Sequence, residues 1–350
     1  MKLLAARSAV LIPQVLLLAA CAAGGSDVDR PQAPAEPPTP TADGDRGPTF
    51  GAGSPDRSVG EGSTSLPPPA DDGSWTVFTL VFENHDYAEV IGSDDAPFFN
   101  ELARTYAVAA NYSDCNIHPS LPNYLCMVSG DPQVPHGTSV EPPTAFAGGA
   151  FPIARENLAS QLVRAGVFWR SYQEDMREPC FLANDGSYAP KHNPFLYFSD
   201  VQRDPGGLCA RTNVPYTELA ADMELARNRY YFITPNLIHG GHHPSDDSRA
   251  ALRTSDAWAR AEIGKIMSSK AFTRGRSVLF VTWDEGAGRV GESEDRVPMI
   301  IVSQHLAQFG VRIRTAYSHR SYLATVEDLL GLPRLATVRN EPSMRGLLRP

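Results

Sequence analysis

The chain has 350 residues, of which 42% are hydrophobic and 20% are charged, and its formal net charge at pH 7 is −9. These proportions are those of an ordinary soluble protein with enough length to bury a core. The negative charge and the lack of a basic run argue against a nucleic-acid partner. After the first twenty residues, no run is long and apolar enough to span a membrane.

Residues 1–20 have the pattern of a signal peptide. Two basic residues precede an apolar stretch over 9–18, and the segment ends in Leu18-Ala19-Ala20-Cys21. This tetrapeptide resembles a bacterial lipobox, in which the cysteine is acylated and becomes the mature N-terminus. We therefore expect an exported protein of the cell envelope, either lipid-anchored through Cys21 to the outer face of the cytoplasmic membrane or secreted. Ordinary cleavage with Cys21 incidental is the alternative.

Residues 21–75 are rich in Pro, Gly, Ala, Ser and Asp and have scarcely a large apolar side chain. Such a segment cannot bury enough apolar surface to fold, so it is predicted to be a disordered tether. The catalytic domain is expected to span 76–337 and to be followed by a C-terminal tail, 338–350.

Four cysteines follow Cys21, and an even number in an exported protein indicates two disulfides. Pairing of neighbours, Cys115 with Cys126 and Cys180 with Cys209, is the simplest of three connectivities.

From residue 76 onward, apolar runs of strand length alternate with amphipathic helical patterns. Strands are predicted over 76–82, 107–110, 167–172, 230–234, 277–283 and 297–302. Helices are predicted over 96–105, from Ser120 onward, and over 155–166, 247–270 and 318–330. This alternation indicates an α/β fold with a mostly parallel central sheet and helices on both faces. Ligands of such folds lie beyond the carboxyl ends of the strands.

Residues 173–215 form a long segment of irregular pattern that contains two of the cysteines. We interpret the segment as an insertion over the substrate face. Its aromatic residues either form an apolar wall for a lipid or nucleobase, or pack inward as part of a disulfide-stapled lid. These residues are Phe181, Tyr188, Phe195, Tyr197 and Phe198.

Polar residues follow four of the predicted strands. They are Glu83 and Asn84, His118 and Ser120, Asn236 and His242, and Asp284 and Glu285. Three carboxylates and an amide that converge would bind a hard divalent cation. Ser120, which is predicted as a helix N-cap, would lie where helix N-termini bind phosphate, and a nearby cation would lower its pKa. A plain helix cap is the alternative for Ser120, and a plain structural role is the alternative for each histidine.

These residues resemble a known family. The segments that carry the resemblance are Glu83-Asn84-His85, His118-Pro119-Ser120-Leu121-Pro122-Asn123-Tyr124, Pro235-Asn236, Trp283-Asp284-Glu285-Gly286 and Tyr317-Ser318-His319. Their order is similar to that of the bacterial phosphoesterase family of secreted acid phosphatases and phospholipases C, in the alkaline-phosphatase-like superfamily. Ser120-Leu121-Pro122-Asn123 also resembles the nucleophile segment Thr-Phe-Pro-Asn of nucleotide pyrophosphatase/phosphodiesterases.

The resemblance implies an alkaline-phosphatase-like fold over residues 76–333, a serine nucleophile and one divalent metal ion (Ca, Mg, Mn or Zn). The implied nucleophile is Ser120, and the implied metal ligands are Glu83, Asn84, Ser120, Asp284 and Glu285. His118, His242 and His319 would surround the phosphate or a second metal, and His242 or His319 would protonate the leaving group.

One position departs from the family pattern. The pattern has Pro-Asn, three residues, Asp, one residue and His-Asp, whereas this chain has Gly240 and His243 at the two Asp positions. An acidic ligand for a second metal is therefore missing unless Asp246 or Asp247 supplies it. The roles of His239 and His243 stay open.

The predicted function is that of an exported, metal-dependent phosphomonoesterase of the acid-phosphatase type that forms a phosphoserine intermediate on a phosphate-ester substrate. The protein is expected to be a monomer. A phospholipase C-type phosphodiesterase is the alternative, although the chain lacks the extra domains of long phospholipases. A phosphate-binding lipoprotein is less favoured, because a solute receptor needs no activated nucleophile.

Overall fold

The computed structural model describes residues 73–133, 151–242, 248–287 and 296–349, which all belong to one unit of the chain, Thr64–Pro350. The signal peptide, Cys21 and the tether up to residue 72 lie outside the described residues. His243, Asp246 and Asp247 do so too. No described helix combines the length and the apolar character needed to cross a membrane.

The described part of the chain contains ten strands. They are β1 Trp75–Phe82, β2 Ala107–Ala109, β3 Tyr112–Ser113, β4 Trp169–Gln173, β5 Asn213–Pro215, β6 Tyr230–Thr234, β7 Arg276–Trp283, β8 Met299–Val302, β9 Val311–Ile313 and β10 Tyr317–Ser318.

The same part of the chain contains ten α-helices and five 3₁₀ turns. The helices are α1 Tyr87–Val90, α2 Pro97–Thr105, α3 Ser120–Ser129, α4 Leu158–Arg164, α5 Ser199–Gln202, α6 Leu208–Thr212, α7 Leu219–Leu225, α8 Ser248–Ser268, α9 Lys270–Thr273 and α10 His319–Leu330. The 3₁₀ turns are Pro190–His192, Pro194–Tyr197, Tyr216–Glu218, Ala336–Val338 and Met344–Leu347.

Eight strands form one sheet in the order β5-β4-β6-β1-β7-β8-β2-β9, and β10 pairs with β3 in a separate ribbon. Strand β8 is antiparallel to both of its neighbours, and the other pairings are parallel. Every residue of β1 is buried, as expected for a central strand covered on both faces.

Helices pack on both faces of this sheet. Consecutive strand residues point to opposite faces, and Phe78 contacts Phe272 of α9 whereas the hydroxyl of Thr79 lies 2.5 Å from that of Tyr322 in α10. The predicted fold class is therefore confirmed.

All six predicted strands and all five predicted helices are present, and their ends differ from the predicted ones by up to three residues. The elements that the sequence did not predict are strands of two or three residues and helices of four to seven. Elements this short contain too few residues for a periodic pattern to develop.

Both predicted disulfides are present, Cys115–Cys126 and Cys180–Cys209. Four aromatic side chains of segment 173–215 are buried: Tyr188, Phe195, Tyr197 and Phe198. Among the two alternatives for these aromatics, the structure thus confirms inward packing. Phe181 is partly exposed and lies under the guanidinium of Arg177.

The end of helix α3 is held by the C-terminal part of the chain. Thr337 donates a hydrogen bond to the carbonyl of Ser129 at 2.7 Å, and Arg320 donates to that of Gly130 at 2.9 Å. Gly130 has a φ of +71°, and a Cβ there would lie 2.5 Å from the Thr337 hydroxyl, so only glycine fits. Residues beyond 337 continue in the packed body, since Met344 and Leu348 are buried.

Candidate active site

Three carboxylates meet at the carboxyl edge of the sheet, and we call Glu83, Asp284 and Glu285 the carboxylate cluster. Phe82 pairs with Trp283 in parallel register, so the residues that follow them, Glu83 and Asp284, lie side by side. The backbone N–H of Asp284 donates to the carbonyl of Phe82 at 2.9 Å. All three carboxylates are buried.

Ser120 lies between two members of the carboxylate cluster. Its Oγ is 3.3 Å from Oε2 of Glu83 and 3.2 Å from Oε1 of Glu285, and the side chain is 1% exposed. The prediction that Ser120 is the N-cap is wrong by one residue, because Pro119 is the N-cap and Ser120 is the first helical residue. The hydroxyl is therefore directed to the carboxylates and makes no capping hydrogen bond, while it stays at the positive end of the helix dipole.

Asn123 fixes the turn before this helix. Its side chain accepts a hydrogen bond from the backbone N–H of Cys115 at 3.0 Å and donates to the carbonyl of Ile117 at 2.5 Å. Its amide nitrogen is also 3.4 Å from Oε2 of Glu285. The Cys115–Cys126 disulfide ties the same turn to the middle of the helix. The position of the Ser120 hydroxyl is thus set by several independent contacts.

The carboxylate cluster is suited to a cation. Both carboxylate oxygens of Asp284 are buried without a hydrogen-bond partner among the described residues. Burial, together with the charges of Glu83 and Glu285, raises the pKa of Asp284 well above its usual range. Burial also raises the pKa of Glu83 to about 8, against the charge of Lys191 and the hydrogen bond from Tyr124. A divalent ion would offset this desolvation and repulsion, so the residues present fit a metal.

Asn84 follows Glu83 in the left-handed region, with a φ of 55°, a conformation that asparagine adopts more readily than most residues. It is half-buried and directly follows Glu83 of the carboxylate cluster in sequence. An amide oxygen at this place is compatible with the predicted ligand role.

A second group lies on the other side of Glu83, and we call Lys191, His192 and His242 the basic cluster. Nε2 of His192 is 3.2 Å from Oε1 of Glu83, and Nζ of Lys191 is 3.0 Å from Nε2 of His242. Tyr124 donates to the same Oε1 at 2.5 Å and its ring stacks on that of His192. Ligand atoms of Glu83, His192 and His242 lie within 4.8 Å of one another, and such a group could hold a metal ion.

The three predicted histidines have different surroundings. Nδ1 of His118 is 2.9 Å from Oε2 of Glu285, and the side chain is 16% exposed. His242 is half-buried in the basic cluster. His319 is fully buried, with Nε2 2.7 Å from the carbonyl of Asp284 and Nδ1 2.8 Å from the hydroxyl of Tyr112. Burial lowers the pKa of His319 to about 4, so at neutral pH it is a neutral ring that positions the Asp284 backbone.

His239 lies in another environment. Its Nδ1 is 2.9 Å from the carboxylate of Glu174, and its ring stacks on Trp258. Neither partner belongs to the two clusters.

Sequence reasoning missed Lys191, His192 and Tyr124. The two basic residues lie in the 3₁₀ turn of segment 173–215, where no strand or helix pattern predicts which side chains face the site. The adjacent basic pair within Pro190-Lys191-His192 was the available signal. Tyr124 follows Ser120 by four residues, and that spacing places both on one face of helix α3.

The chain is similar in sequence to known phosphatases. A model of the Phosphoesterase family matches residues 85–333. A protein of Mycobacterium tuberculosis named "Phosphatidylinositol-3-phosphatase" is 30% identical over 81% of this chain and 84% of its own length. A protein of Kluyveromyces lactis named "Probable acid phosphatase" is 26% identical over 74% of this chain, which spans only 58% of that protein.

Solved structures of low sequence identity share the fold. A protein in the alkaline phosphatase superfamily from Vibrio parahaemolyticus has a TM-score of 0.53 and 10% identity, over 76% of this chain and 68% of that one. The soluble domain of lipooligosaccharide phosphoethanolamine transferase A from Neisseria meningitidis has a TM-score of 0.51 and 14% identity, over 81% of this chain and 95% of that one. The predicted alkaline-phosphatase-like fold is thereby confirmed.

Proposed function

The chain belongs to the phosphoesterase family and hydrolyses phosphoric ester bonds, and from this premise we propose that it is an exported, metal-dependent phosphomonoesterase with Ser120 as its nucleophile. One observation carries the proposal. The hydroxyl of Ser120 is buried at a helix N-terminus within 3.3 Å of two carboxylates, beside an Asp284 carboxylate that has no hydrogen-bond partner within the described part of the chain.

Ser120 begins the reaction. Its Oγ attacks phosphorus, and Glu83 or Glu285, both within hydrogen-bond distance, accepts its proton. The new Oγ–P bond forms as the ester P–O bond breaks, and the alkoxide takes a proton as it leaves. Water then cleaves the phosphoserine and restores the hydroxyl, while the N–H groups of the first turn of α3 stabilise phosphoryl charge.

The metal would be held by Glu83, Asn84, Asp284 and Glu285, with Ser120 beside it. When bound, a divalent ion lowers the pKa of a nearby hydroxyl and neutralises charge on a phosphoryl oxygen.

The proton for the leaving oxygen comes from His118 or His242, which are the partly exposed histidines of the site. His319 is a positioning residue in this proposal, because both of its ring nitrogens have protein partners.

A monoester fits the site better than a diester. The basic cluster and His118 offer several donors to a terminal phosphate dianion, and a diester has one of those oxygens blocked and uncharged. Because Tyr188, Phe195, Tyr197 and Phe198 pack inward, these four side chains do not form an apolar wall for a lipid substrate.

Export and acylation at Cys21 complete the proposal. Replacing Cys21 by serine should release the protein from membranes without a change in its activity on a soluble substrate, because the acyl chains provide the anchor. A wild-type protein already fully soluble in the medium would contradict the lipid anchor.

The hydrolysis of p-nitrophenyl phosphate tests the proposed function. Ser120→Ala should lower kcat by about 10³ or more, and Ser129→Ala, at the other end of the same helix, is the matched control. A strong chelator should inactivate the wild type, and one divalent ion should restore it. A Ser120→Ala variant with a tenth of wild-type activity, or a preference for bis-p-nitrophenyl phosphate or phosphatidylcholine, would contradict the proposal.

A further inference from the structure

The basic cluster already contains a cation of its own. Lys191 is only 8% exposed, and its Nζ lies 3.0 Å from Nε2 of His242. An ammonium has three donors and no acceptor. Lys191 therefore donates this hydrogen bond, and the lone pair of His242 Nε2 accepts it.

The same contact disfavours a metal ion in this group. A metal bound by Glu83, His192 and His242 through Nε2 would need the lone pair that Lys191 occupies, and its charge would face an ammonium at close range. Gly240, which contacts Glu83, offers no replacement acid, because a Cβ there would lie 2.9 Å from the carbonyl of Asn236.

Glu83 connects this ammonium to the nucleophile. One oxygen of Glu83 is 3.3 Å from Oγ of Ser120, and the other is 3.2 Å from Nε2 of His192. Burial and, after it, the charge of Lys191 lower the pKa of His192, and the same charge opposes the burial that raises the pKa of Glu83, as expected for a cation close to both. The carboxylate of Glu83 would thus lie between a phosphoryl group on Ser120 and the basic cluster.

We propose that Lys191 is a phosphate-binding residue that takes the place of a second metal ion, with its ammonium held by His242 and directed to the phosphoryl oxygens that face away from the carboxylate cluster. The inference rests on the proposed function, because it assumes that the phosphoryl group is bound at Ser120. It predicts one metal ion per chain even in excess metal.

The first test measures the binding of inorganic phosphate to the metal-loaded protein by isothermal titration calorimetry. Lys191→Met should bind phosphate about 10- to 100-fold more weakly than the wild type, because a charge-assisted hydrogen bond is lost. Lys191→Arg keeps the charge and should lose less. Lys270→Met, which removes an exposed lysine paired with Glu224, is the matched control and should match the wild type.

The second test counts zinc ions per chain by elemental analysis after loading in excess zinc and desalting. The wild type should hold one ion, and Lys191→Met should hold up to two, because the lone pair of His242 becomes available. The wild-type count needs no variant, so the proposal stays testable if Lys191→Met fails to fold.

Either of two results overturns the inference: two zinc ions in the wild type, or unchanged phosphate affinity in a folded Lys191→Met. Neither measurement depends on turnover. A wild type that binds phosphate through Lys191 and cleaves no phosphate ester would contradict the proposed function alone.

Discussion

The carboxylate cluster and the basic cluster lie on opposite sides of Glu83, and the chain builds them in different ways. Glu83, Asp284 and Glu285 follow directly on two central strands whose register fixes them side by side. Lys191 and His192 lie in a 3₁₀ turn of a long irregular segment, and His242 lies eight residues after strand β6. The sheet therefore sets the position of the carboxylates that would hold a metal, whereas loop packing sets that of the ammonium and imidazoles that would bind phosphate.

A comparison of Asp284→Asn with His192→Gln should show that the two clusters have different roles. Of all the predictions, we expect the largest loss of activity here. Asp284→Asn removes a charged ligand and should lower both metal occupancy and kcat/KM, the latter by about 10³. His192→Gln should keep the metal and mainly raise KM. Elemental analysis with steady-state kinetics on p-nitrophenyl phosphate measures both quantities. Full metal occupancy in Asp284→Asn would break the assignment of this cluster to the metal.

His118 and His242 can be told apart by the leaving group. Replacing the histidine that donates the proton by asparagine should lower kcat on glycerol phosphate about 10²-fold, because a leaving alkoxide needs the proton. The same variant should lose far less on p-nitrophenyl phosphate, since p-nitrophenolate leaves without protonation. Equal losses on both substrates in both variants would mean that neither histidine is the acid.

The distinction between strand and loop also explains how much the sequence could predict. Glu83 and Asp284 were identifiable because long apolar runs end immediately before them. Ser120 was identifiable because a helix begins there. Lys191 faces the site only because the Pro190–His192 turn packs against helix α3, and this tertiary contact leaves no periodic pattern in the sequence. His319 was placed near the site correctly, but its enclosure by Tyr112 and the Asp284 backbone depends on the short β3–β10 ribbon, which no pattern predicted.

The two disulfides allow a second comparison, in which we expect smaller effects on activity. Each closes a loop, of sequence separation 11 for Cys115–Cys126 and 29 for Cys180–Cys209. Replacing either pair by serine should cost about 3 kcal/mol of unfolding free energy by loop entropy.

Their effects on catalysis should differ. Loss of Cys115–Cys126 should mainly lower kcat, because it loosens the turn before Ser120, whereas loss of Cys180–Cys209 should mainly raise KM through the segment that contains Lys191 and His192. Urea unfolding and steady-state kinetics on both double variants measure these effects. The same kinetic change in both variants would argue against a separate structural origin of the two clusters.

The smallest effect concerns acid stability. The pKa of His319 is lowered to about 4 in the folded state, below the usual value of about 6.5, so the unfolded chain binds the proton first as the pH falls. Its contribution to stability is present above pH 6.5 and is lost as the pH falls towards 4, with about 2 kcal/mol lost by pH 5. Urea unfolding in the presence of a chelator should therefore show a shallower decline from pH 7 to pH 5 for His319→Gln than for the wild type. An identical decline would contradict the lowered pKa.

The contacts of Thr337 and Arg320 with the end of helix α3 have a consequence for biosynthesis. The ribosome synthesises residue 120 more than two hundred residues before residue 337, so the helix of the proposed nucleophile emerges long before the side chain that holds its far end. Until residue 337 has been synthesised, the Gly130 turn cannot pack against Thr337, and helix α3 lacks one of the contacts that hold its end. A chain that stops before residue 337 should therefore hold the end of helix α3 less firmly than the full chain does.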